Sequence, residues 1–114
     1  MTLYEASRRF HISMEKLKSY EENSLLEHQV LDDGTFDYTE AELKKVGLIH
    51  SLLRSGMDMQ ALKRYLRLLN EQAESREERI RILRKQRYKL LDDIHEKQQS
   101  LDEIDYMIKG MLKK

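Results

Sequence analysis

Lys16, Lys18 and Ser19 are the side chains of this sequence best suited to recognition chemistry. They lie in ISMEKLKSYEENSLL, residues 12–26, where Met14, Leu17 and the Tyr20–Glu21 pair recur at helical spacing. That spacing turns Leu17 inward and Lys16, Lys18 and Ser19 outward. Two ammonium groups and a hydroxyl on the outer face of a short helix suit the phosphates and base edges of duplex DNA. An ordinary surface helix is the alternative, because short charged amphipathic helices are common. Ser13 supplies an N-cap hydroxyl for this helix. Lys16 stands where Glu or Gln would complete a capping box, so only half of that signal is present.

Other chemistries find little support. His11, His28, His50 and His95 form no pair at i,i+4 spacing, and there is no cysteine, so no metal is expected. The four glycines build no phosphate-cradling loop, and neither HExxH nor GxSxG occurs. The acidic pairs Asp32–Asp33 and Asp92–Asp93 fall in a turn and on a solvated helix face, where no pocket would shape them for catalysis. No cofactor is expected, and the chain does not read as an enzyme.

The elements that must position Lys16 and Lys18 follow from capping and periodicity. Residues 2–9 read as a first short helix, with Leu3, Ala6 and Phe10 inward and Arg8 and Arg9 exposed. His11 occupies the turn before Ser13, which completes a helix-turn-helix. Leu25 and Leu26 close the second helix on the core. Asp32-Asp33-Gly34 is a hairpin turn between Val30-Leu31 and Phe36–Tyr38. A hairpin here is a wing, but it carries Asp32, Asp33 and Asp37 with no Lys or Arg between Gln29 and Tyr38, a poor match to phosphate. Residues 39–53 read as a helix opened by a Thr39-x-x-Glu42 capping box and closed by Gly56. Asp58 or Ser55 caps a further helix with Met59, Leu62, Leu66 and Leu69 on its apolar stripe. Methionines read as core filling, and Tyr4, Tyr20, Tyr38 and Tyr65 as residues at the rim of the core.

Residues 71–79, EQAESREER, read as a polar hinge or solvent-bridging stretch. Beyond it Ile80, Leu83, Leu90, Ile94, Leu101, Ile104, Ile108 and Met111 recur in alternating steps of three and four, with Arg87 and Lys97 at the two missing seam positions. At about 1.5 Å per residue such a helix is on the order of 48 Å long. Nothing in residues 1–70 is large enough to cover its stripe, so a partner helix is expected, and a second copy is the natural one.

Composition sets the bounds. The 114 residues allow one domain with an extension, and 37% charged residues without proline suit long helices. Formal net charge is zero, and residues 1–70 hold ten Lys and Arg against eleven Asp and Glu, so DNA binding must rest on a local patch. No apolar run approaches the roughly 20 residues that cross a bilayer. MTLYEASRRF has no apolar signal region, so no membrane partner is expected, and the expected location is the bacterial cytoplasm.

The order helix-turn-helix, acidic hairpin, capped helix pair and long heptad helix resembles the MerR family of bacterial transcriptional regulators. The resemblance covers most of the chain. It is carried by TLYEASRRFHIS, by Tyr20-Glu21-Glu22 leading to Leu25-Leu26, by Gly34-Thr35-Phe36-Asp37-Tyr38-Thr39, by SLLRSGMDMQALKRYL and by LDEIDYMI. It implies DNA contacts at Lys16, Lys18, Tyr20, Tyr38 and Arg54. Lys18 stands in place of the usual arginine, Ser19 in place of an aromatic residue, and Phe36 in place of the wing arginine.

The resulting expectation is a mainly α protein. Residues 1–70 would form a winged helix-turn-helix DNA-binding domain, and residues 71–114 a dimerisation helix in an antiparallel coiled coil. The resemblance implies a homodimer on a pseudo-palindromic promoter site that acts by bending and untwisting DNA. RNA polymerase is the candidate further partner there. Because the chain stops on its long helix, a small member without a C-terminal effector domain is expected. The competing expectation is an interaction protein that keeps the fold, does not bind DNA, and regulates by pairing its coiled coil with a partner protein.

Overall fold

The structure, a computed structural model, describes residues 1–71 and 75–113. Helices α1 (Leu3–Phe10) and α2 (Met14–Glu22) are followed by strands β1 (Gln29–Val30) and β2 (Phe36–Asp37). Helices α3 (Glu40–Arg54), α4 (Met59–Asn70) and α5 (Arg76–Leu112) complete the chain.

Side-chain caps set most of these boundaries. Thr2 accepts from the Glu5 N–H, Ser13 from Lys16, Thr39 from Glu42 and Asp58 from Ala61, at 2.8–3.2 Å. Each such cap contributes about 1 kcal/mol. The capping box at Thr39 is only half formed. The Glu42 carboxylate turns away and accepts from the Glu27 N–H at 2.9 Å and from Lys45 Nζ at 2.8 Å, which ties the loop after α2 to α3. Ser55 caps the C-terminus of α3 instead of starting α4; its Oγ donates to the Leu52 carbonyl at 2.6 Å. Gly56, at φ 88°, then makes the left-handed exit from α3.

The recognition segment is shorter than its apolar spacing suggests. Ile12 is buried but precedes the cap, and Ser24 at φ 61° ends the helical path before Leu25 and Leu26. The wing pairs Gln29 with Asp37 and Val30 with Phe36. Its three-residue tip is a turn closed by Gly34 N–H to the Leu31 carbonyl, with Gly34 left-handed at φ 84°.

The core lies between α1, α2, α3 and α4. Leu17, Leu43, Val46, Ile49 and Leu62 are fully buried at its centre, with Ala6, Leu26, Met57 and Leu66 around them. Burying each large aliphatic side chain stabilises the head by roughly 1.5–3 kcal/mol.

The polar stretch 71–79 is not a hinge throughout. Residues 72–74 lie outside the described residues, but Arg76 already begins α5. Ser75 is buried; its Oγ donates to the Leu68 carbonyl and accepts from Arg79 Nε, at 2.7 and 3.2 Å. The first turns of α5 pack on the head. Ile82 rests against the core, Glu78 pairs with Arg64, and Gln86 Nε2 donates to the Ser55 carbonyl at 2.8 Å. Leu90 is half-buried, and every described residue from Leu91 onward is exposed. Among the described residues, no helix is long and apolar enough to cross a membrane.

Candidate nucleic-acid interface

Helix α2 buries Leu17 and Tyr20 and exposes Lys16, Lys18 and Ser19. Packing sets the C-terminal half of α3 beside it. Between the two helices lies an open cleft of about 570 Å³, lined by Lys16, Ser19 and Tyr20 from α2 and by His50, Leu53 and Arg54 from α3. No carboxylate lines it. Lys16 and Arg54 make no ion pair among the described residues, so both cations are available to an anion.

Three of the five residues expected at DNA, Lys16, Tyr20 and Arg54, thus meet in one cleft. Lys18 does not join them. Two positions along a helix is about 200° of rotation, so Lys18 lies on the other flank of the exposed face. It is exposed there.

The two tyrosines at which the resemblance implies DNA contacts lie in the core. Tyr20 is 4% exposed and Tyr38 is 3% exposed, so both rings are core side chains. Their apolar rings fill the space between α2, the wing and α3, which leaves only the hydroxyls to do polar work. The Tyr20 hydroxyl meets His50 Nδ1 at 3.2 Å, within the cleft. The Tyr38 hydroxyl donates to Glu21 Oε2 at 2.9 Å, away from the cleft. Burial raises the Tyr20 pKa; burial first, then the hydrogen bond and charge of Glu21, raise that of Tyr38. Both phenols therefore stay protonated well above neutrality.

Glu21 is the hub that docks the wing on α2. Besides Tyr38 it meets His28 Nδ1, and His28 stacks on Phe36 with ring centroids 3.7 Å apart. Phe36 thus anchors the wing through an aromatic stack. Asp37 is held by the Met1 amine, whose pKa rises mainly through that hydrogen bond. At the tip, hydrogen bonding from the Thr35 side chain first, and then from the Thr35 N–H that Asp33 accepts at 2.9 Å, lowers the Asp33 pKa and keeps it anionic. An anionic tip repels phosphate. Elsewhere on the head, Arg9 pairs with Glu40, and the Arg8 guanidinium lies 5.9 Å from the Tyr4 ring centroid.

His50 is the cleft residue that the sequence reading missed. Its signal was available: it stands four positions before Arg54, one helical turn away on the same face of α3. Among the described residues there is no grouping of three or more His, Asp or Glu that could hold a metal ion.

Helix-turn-helix, hairpin wing and a following helix pair define a winged helix-turn-helix head, here continued by a single long helix. The family model for "MerR HTH family regulatory protein" matches residues 1–69, and the chain belongs to that family of DNA-binding transcription regulators. A putative MerR family transcriptional regulator from Listeria monocytogenes superposes with a TM-score of 0.83 at 26% identity, over 99% of this chain and 86% of that one. HiNmlR, described as a MerR family regulator lacking the sensor domain and bound to promoter DNA, gives 0.79 at 24% identity, over 96% and 83%. A MerR family regulator from Bacillus thuringiensis gives 0.80 at 21% identity, over 96% and 97%. The latter two likenesses speak for the fold. Comparison with curated proteins finds no match.

Proposed function

We propose that this chain works as a homodimer, its two heads held by an antiparallel pair of α5 helices on a pseudo-palindromic promoter site. The observation that carries this reading is the uncovered stripe on α5. Ile94 is 62% exposed and Met111 76%, with Leu101, Ile104 and Ile108 bare between them, while Ile80 and Leu83 lie open near the head. A stripe of that length is stable in water only when covered.

Charge supports a second copy in antiparallel sense. Residues 76–89 hold seven Lys and Arg against two Glu, whereas residues 92–105 hold six Asp and Glu against one Lys. Antiparallel pairing sets each basic segment opposite the partner's acidic one, and parallel pairing stacks like on like. The cleft with Lys16, His50 and Arg54 would occur once per head, and the coiled coil would fix the spacing of the two half-sites.

The experiment is selection from sheared genomic DNA at moderate salt, with sedimentation of the protein alone. A dimer that recovers sites of inverted symmetry supports the reading. A monomer, or recovery of no site above background, overturns it. The acidic wing favours a second reading, an interaction protein that regulates through its coiled coil. That protein shows no duplex affinity at low or moderate salt, whereas a DNA regulator loses affinity steeply between the two.

A further inference from the structure

The pairing of Tyr20 with His50 gives the cleft a role beyond its two cations. We infer that His50 donates a hydrogen bond from Nε2 to a DNA phosphate, and that Tyr20 is the positioning residue that prepares it to do so. This rests on the DNA-binding reading of the same surface.

The Tyr20 phenol is buried and retains its proton, because burial raises its pKa. Its hydroxyl lies 3.2 Å from His50 Nδ1. With the phenol O–H donating to His50 Nδ1, the imidazole carries its proton on Nε2. Among the described residues no hydrogen-bond partner is found for His50 Nε2. His50 lines the same cleft as Lys16, Arg54 and Ser19, with no carboxylate beside it to take up that proton. The ligand that suits two cations, a hydroxyl and an oriented N–H is a phosphodiester group. Duplex DNA presents such groups in a row, and they carry no base sequence. The pair thus ties α2 to α3 and sets an N–H donor in the cleft that Lys16 and Arg54 also line.

The test uses the full chain and a mixed-sequence synthetic duplex, because a phosphate contact is independent of sequence. Affinity is measured over a range of salt at one fixed, mildly alkaline pH. His50→Ala is expected to weaken binding about five- to tenfold per head. The slope of log affinity against log salt should stay at the wild-type value, because no charge is removed. Lys16→Ala should lower that slope by about one per head. Tyr20→Phe should weaken binding alone but add nothing on the His50→Ala background. His50→Gln, which keeps a donor at similar reach, should restore most of the affinity. Thermal melting of each variant separates loss of fold from loss of contact, and for any variant that does not fold the His50→Gln comparison stands in its place. Wild-type affinity in His50→Ala, with Lys16→Ala impaired, overturns the inference and leaves the DNA reading intact. A reduced salt slope in His50→Ala overturns the neutral-donor role. If the wild-type protein binds no duplex at low salt, the DNA-binding reading falls as well.

Discussion

Tyr38 shows how one side chain can serve the fold where its position suggested a contact. Its ring is buried and its hydroxyl donates to Glu21, so removing the hydroxyl strands a carboxylate that also holds His28. Tyr38→Phe should cost roughly 1.5–3 kcal/mol of stability, as for a hydrogen bond to a charged group, with DNA affinity of the folded protein unchanged. Denaturant midpoints and a binding titration check this. Unchanged stability with lost binding would move Tyr38 to the DNA surface. The raised pKa also fixes a pH dependence. Above about pH 10 the unfolded chain releases the phenolic proton while the folded protein retains it, so stability is full below that pH and falls as pH rises further. Tyr38→Phe should flatten this alkaline limb, and a series of melts from neutral to alkaline pH would show it. Lys18 and Arg54 are exposed cations on different elements. Lys18→Ala and Arg54→Ala should each weaken DNA binding on every sequence and reduce the salt slope by about one per head. The dimer should persist in sedimentation; variants that bind like the wild type would remove both residues from the interface.

Among the elements, the wing departs most from what a DNA-binding head needs. Its pairing and turn are ordinary, but its tip is anionic and its base is docked on α2 by the His28–Phe36 stack and Glu21. It therefore braces the recognition helix. Reversing the tip charges with Asp32→Lys and Asp33→Lys should tighten binding at low salt by about tenfold and steepen the salt dependence. If affinity is unmoved, the tip stays beyond a Debye length of the phosphates, and the wing acts on α2 alone. Helix α5 divides between two tasks. Its first turns are fastened to the head by Ser75, Glu78, Ile82 and Gln86, and its described residues from Leu91 onward are exposed.

For the whole molecule, this division makes the proposed dimerisation separable from folding. Ile94→Asp with Leu101→Asp alters only the uncovered stripe. Each lost apolar burial costs about 1.5–3 kcal/mol, so the dimer should dissociate by at least a thousandfold more. The head should keep its melting behaviour, because neither side chain reaches it. Binding to a two-half-site duplex should collapse to that of one head. Sedimentation equilibrium and a titration on paired and single half-sites measure both. A variant that remains dimeric would show that another surface joins the copies.

The sequence by itself determined the element order, the caps and the long stripe, because these depend on near neighbours along the chain. Thr2, Ser13, Thr39 and Asp58 bond to N–H groups three residues away, and the 3-4 spacing from Ile80 to Met111 belongs to one helix. The Gly34 turn and the acidic wing were legible for the same reason, as were Lys16 and Lys18 as exposed cations. The tertiary structure decided what rests on distant partners. Glu42 left its capping box for Glu27, Tyr38 went to Glu21, and Gln86 reached the carbonyl of Ser55 across 31 positions. The cleft itself is of this kind. Tyr20 and His50 are 30 residues apart, and only the packing of α2 against α3 sets a phenol and an imidazole within hydrogen-bond distance. Local spacing carries no information about such a meeting, since it arises from the burial of Leu17, Tyr20, Val46 and Ile49 in one shared core.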